Sequence, residues 1–162
     1  MKVAIAFLAA GAALSIVSVP LFAKGPTVRI TIDGGDLAAP VEVDDRHVAG
    51  FFNVWTGPGT SSNEAQGLIV DWSRGVTKPP KDLPVYDVSF VTGRRPRGTY
   101  IVRYVIDPST GHGYVYLPGP ADAEYPDNVW LILRGVEGNW FHSWSEWEEL
   151  AHPLIAKAAR SR

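Results

Sequence analysis

Three tryptophans and a histidine fall within eight positions near the end of this 162-residue chain, as Trp140, His142, Trp144 and Trp147. Indole and imidazole rings present flat faces that stack on a sugar ring or a peptide side chain, and each carries a polar edge for orientation. Trp and Tyr are also concentrated where binding energy is concentrated. Trp140, His142 and Trp144 are therefore the candidate ligand-binding residues. Trp147 fits the apolar stripe of a helix, and Trp140 alone would also fit a core position in a strand. Trp144 is the ring that core packing explains least: it falls at or before the helix start, beside His142, as the edge of a binding surface.

Catalytic patterns are absent from the same sequence. No serine has the flanking glycines of Gly-x-Ser-x-Gly, the turn that exposes a nucleophilic hydroxyl in one large hydrolase class. Neither the phosphate-binding Gly-x-x-x-x-Gly-Lys-Ser/Thr pattern nor a dinucleotide Gly-x-Gly-x-x-Gly fingerprint occurs. His47, His112, His142 and His152 lack the paired spacing by which zinc ligands share a helix or turn. Asp33-Gly34-Gly35-Asp36 reads as a strand-ending turn, short of the oxygen ligands of a calcium loop. Glu146, Glu148 and Glu149 suit the first turn of a helix, where acids oppose the dipole. With no cysteine in the chain, disulfides, thiolate metal sites and cysteine nucleophiles are excluded. No metal and no cofactor is expected. The function these residues predict is a non-catalytic module for a glycan, an envelope component or a protein. The alternative is a small exported hydrolase with acid or histidine chemistry, for which His142 and Asp107 are the candidates.

The elements that position these residues follow from periodicity. Thr27 to Ile32 alternates with period two, which puts Val28, Ile30 and Ile32 on one strand face, and Val41 to Val43 is a second short strand. Tyr86, Val88 and Phe90 alternate with polar partners, the pattern resumes over Tyr100 to Ile106, and Asp107 to Gly111 is dense in turn formers. Residues 85–92, 99–106 and 113–117 are thus expected as a three-stranded antiparallel meander, with Arg94, Arg95 and Arg97 at one hairpin tip. Thr56 to Leu83 reads as a surface excursion pinned by the apolar island Leu68, Ile69, Val70 and Trp72. The run 129–133 is continuously apolar, which suits a buried strand or helix equally, and 139–142 is expected to pair back on it as a strand. Trp147, Leu150, Ala151 and Leu154 recur at helical spacing after the capping signals Ser143/Glu146 or Ser145/Glu148, and Pro153 is expected to bend or end that helix. The fold class that results is α+β, mostly antiparallel β, in one small domain with a C-terminal helix.

Eighteen of the first 23 residues are apolar, after Met1 and Lys2 and before the break at Pro20 to Ala23. This is the pattern of a secretory signal peptide, with an uncleaved anchor as the alternative. Residues 24–162 then form the globular domain. The chain carries a formal charge of −2, and the domain without Lys2 is one unit more negative. A basic excess is what binding to nucleic acid or an anionic membrane requires. Neither partner is expected, and the location is periplasmic or extracellular.

Overall fold

The computed structural model describes residues 25–58, 66–93, 98–128, 133 and 135–159. The N-terminal apolar segment, the arginine tip at 94–97 and the run 129–132 lie outside the described residues. In chain order the elements are β1 (Thr27–Gly34), β2 (Val41–Val43), α1 (Arg46–Phe51), β3 (Gln66–Gly67), β4 (Val70–Asp71) and β5 (Val76–Thr77). They continue as β6 (Tyr86–Thr92), β7 (Thr99–Ile106), β8 (Gly113–Leu117), α2 (Tyr125–Asn128), β9 (Asn139–His142) and α3 (Ser145–Ala159). Seven strands form one antiparallel sheet in the order β2-β1-β6-β7-β8-β9-β5, and β3 and β4 make a separate hairpin. The architecture is α+β and mostly antiparallel, as the patterning predicts.

The meander is the centre of this sheet. Phe90 lies opposite Tyr100, Val88 opposite Val102 and Tyr86 opposite Tyr104, and Tyr104 in turn faces Val115. Period-two alternation places all of these on one face, and all are buried. Against that face α3 lays Trp147, Ala151 and Ile155, four residues apart and therefore on one stripe. The Trp147 ring is fully buried and meets Phe52, Phe90 and Tyr104 at centroid separations of 5.2, 6.3 and 5.9 Å. Burying one such ring is worth several kcal/mol at about 25 cal/mol per Å².

Four expectations change. The helix does not end at Pro153: the proline sits on an exposed position and α3 runs on to Ala159, because Ile155 beyond it is buried in the core. The helix-start serines act as donors to carboxylates, Ser143 to Glu148 and Ser145 to Glu146, in place of the expected pairings. The stretch 56–83 is more than a surface excursion. Leu68, Ile69 and Val70 are fully buried, and β5 extends the sheet by pairing with β9. Finally, β9 pairs with β8 and β5, so its hydrogen-bonding edges are taken without the run at 129–133.

Sequence periodicity also passes over α1, which has six residues and is capped by Asp45, whose carboxylate accepts from the backbone N–H of His47 and Val48. A helix this short shows less than two turns of pattern. β8 stops one position short of covering Ile101 on β7. There the Asn128 side chain takes the place of a strand, accepting from the Ile101 N–H at 2.7 Å and donating to its carbonyl at 2.6 Å.

Candidate functional site: the outer face of the sheet

β9 alternates across the sheet, and Phe141 at its centre points into the core. Trp140 and His142 must therefore point to the other face. On β8 the same rule sends Tyr114 and Tyr116 outward, because Val115 between them is buried. The register then sets Tyr116 opposite Trp140 and Tyr114 opposite His142. Both pairs meet at centroid separations of 5.2 Å, tilted by 42° and 39°. All four residues are half-buried.

These pairs belong to a longer row. Following the register, Asp33 faces Asp87, Asp87 faces Arg103, Arg103 faces Tyr116, Tyr116 faces Trp140 and Trp140 faces Thr77. At about 4.8 Å per strand the row runs for roughly 24 Å across the sheet. Its acidic end lies on β1 and β6 and its aromatic end on β8 and β9. Arg103 joins the two halves. Its guanidinium lies 5.4 Å from the centroid of the Tyr116 ring and bridges Asp122 at 3.2 Å and Glu124 at 2.7 Å.

Asp122 organises the segment that flanks this row. It accepts from the Tyr116 hydroxyl and from the Gly119 N–H, both at 2.8 Å. Burial works to raise its pKa, and those bonds together with Arg103 outweigh burial and hold it below the usual carboxylate range. Burial works to lower Arg103 as well, and the bond and charge of Glu124 reverse that. Asp87 shifts upward, first from burial and then from the charges of Glu124 and Asp33. At neutral pH Asp122 is therefore an ionised carboxylate beside the Tyr116 ring. His142 is held below its ordinary value by burial, then by Arg74 and His112, so it is neutral there.

Trp144 is not part of this surface. It directly precedes α3, where its carbonyl accepts from the N–H groups of Trp147 and Glu148. Its ring packs on the core side of the sheet, stacked on Phe51 at 4.9 Å and edge-on to Phe52 at 5.9 Å. The structure thus brings Trp140 and His142 together and places Trp144 on the opposite layer. The sequence reading also took Trp140 for the ring more easily explained as core, whereas the ring that packs against the core is Trp144. The residues it passed over are Tyr114, Tyr116, Arg103, Asp122 and Glu124. The two tyrosines were legible, since Tyr-Val-Tyr in a strand with a buried Val fixes both rings outward.

A second polar cluster lies under the sheet. The Glu148 carboxylate accepts from the Gly113 N–H at 2.7 Å and from the Ser143 hydroxyl at 2.5 Å. Nearby, the Tyr104 hydroxyl and His152 Nε2 share a 2.6 Å bond. Serine, glutamate and histidine together resemble hydrolytic machinery, but Ser143 is buried and donates to the carboxylate. Tyr104 is fully buried as well. The cluster ties α3 to the start of β8. Asp107 is likewise committed: its carboxylate accepts from Ser109 and Thr110, and those bonds hold it low. In the 33–36 turn Asp33 accepts from the Gly34 N–H and Asp36 from the Tyr86 hydroxyl. Among the described residues no three His, Asp or Glu side chains converge as a metal site would require.

Comparison with protein families, with characterised proteins and with solved structures returns no match.

Proposed function

We propose that this protein is an exported, non-catalytic module that binds a glycan on the outer face of its sheet. The observation that carries the reading is the double ladder Tyr116/Trp140 and Tyr114/His142, half-exposed on rigid paired strands. A ring fixed by its strand loses little side-chain freedom on binding, which is a main cost of association. Stacking would hold the apolar face of a sugar ring over Tyr116 and Trp140. Asp87 and Asp33, further along the row, would accept hydrogen bonds from hydroxyls. The composition of residues 1–23 supports export. The N-terminus of protein recovered from a bacterial periplasm should then lie beyond residue 23, and an intact N-terminus retained in the cytoplasm contradicts export.

The binding experiment is co-sedimentation with insoluble cellulose, chitin and purified bacterial cell-wall sacculi. Retention on at least one, lost on changing Trp140 to Ala and kept on changing Trp144 to Ala, is the expected result. Failure to bind any of the three, with the fold intact, overturns the glycan reading.

A further inference from the structure

On the layer opposite the aromatic face, α1 and α3 leave between them an open groove of about 560 Å³. Val48, Phe51, Phe52 and Leu150 line it, with Arg46 on the α1 wall and Glu146 on the α3 wall. Phe51 is 57% exposed, the bulkiest apolar side chain on the described surface with so much of itself in water. It is nonetheless held in place, stacked on Trp144 and set at 89° to Phe52 with centroids 5.5 Å apart. Arg46 and Glu146 line the same groove from opposite sides without forming an ion pair with each other.

A rigid apolar knob beside an apolar hollow, with a cation on one wall and an anion on the other, is complementary to itself under a two-fold rotation. This is the requirement for an isologous contact. We propose that the occupant of the groove is a second copy of this chain. Phe51 of each copy enters the groove of the other, and Arg46 of each faces Glu146 of the other. The exposed ring is removed from water, as contiguous apolar surface on soluble proteins generally is when it is functional. The patch is small, so the association is weak and concentration-dependent. Because the contact uses the helical layer, both aromatic faces stay open, and a dimer would meet a polymeric ligand with two of them. The dimer does not depend on the glycan reading.

Sedimentation velocity and light scattering on protein expressed from the full-length chain test this. The mass should rise with concentration toward twice that of one chain. Phe51→Glu should give a monomer with an unchanged circular dichroism spectrum. Arg46→Glu or Glu146→Arg alone should weaken association roughly tenfold, since each reverses a charge at both symmetric contacts. The double variant Arg46→Glu/Glu146→Arg should recover it. A monomer at every concentration, a dimer indifferent to Phe51→Glu, or a double variant no better than the single ones overturns the proposal.

Discussion

Replacing Gly113 by Ala tests the cluster that fastens α3 to the sheet. A methyl group on Gly113 would collide with the Tyr104 hydroxyl and the Ser143 Oγ, and would lie 2.6 Å from Tyr104 Cε2. Neither neighbour is free to yield. Tyr104 is fully buried and bonded to His152, and Ser143 is buried and bonded to Glu148. Forcing a methyl into a packed site costs about 1–3 kcal/mol, and leaving one buried polar partner unsatisfied costs about 1–3 kcal/mol more. Stiffening of the unfolded chain returns at most about 1 kcal/mol. The net expectation is a loss of about 3 kcal/mol, or a fall in Tm of roughly 6–12 °C for a chain of this size. Gly111, two residues away, is the control. It has φ of 72° and open space around it, so Gly111→Ala should cost only the left-handed backbone penalty of about 1–2 kcal/mol. Urea unfolding followed by tryptophan fluorescence reads both variants. A Gly113→Ala protein within about 0.5 kcal/mol of the parent would show that the cluster is loose and the argument from its geometry mistaken.

Two further outcomes concern the partly buried histidines and Trp144. Burial holds His142 and His152 below their ordinary value of 6.5, so the unfolded chain takes up these protons more readily than the folded one. Stability should be greatest above pH 6.5 and fall as the pH drops from there toward the lowered folded values. The urea midpoint measured across that window should fall with pH, less steeply in His152→Gln, and a midpoint that rises on acidification contradicts the burial argument. Trp144→Ala should cost about 2 kcal/mol, less than the roughly 3–5 kcal/mol of a fully buried Trp because the ring is partly exposed. Its glycan retention should equal that of the parent, and a stable variant that has lost retention would return Trp144 to the binding surface.

The meander and the terminal helix were legible because each spans enough residues to show its period: Tyr86, Val88 and Phe90 in one case, Trp147 and Ala151 in the other. Elements below that length were not. α1 has six residues and β3, β4 and β5 have two each, so the burial of Leu68 and Ile69 depends on tertiary contacts that no local pattern encodes. The site was half legible. Residue type singled out Trp140, His142 and Trp144, but which face a ring occupies depends on the strand register, and Trp144 falls where the strand has ended and the alternation stops. Arg103, Asp122 and Glu124 meet only through the crossing of the 118–128 segment, which carries no sequence signature. Tyr116 needed only the alternation of its own strand.

The claim on which the functional reading rests is that Trp140 contributes to binding through its exposed face. Isothermal titration of the best-retained glycan, as a soluble oligosaccharide, against the parent and Trp140→Ala measures this most directly. Loss of a hot-spot ring of about 2 kcal/mol predicts affinity weaker by roughly 30-fold, while the fold stays intact with a stability loss of about 2 kcal/mol, like that of Trp144→Ala. Equal affinity of the two proteins would contradict the account.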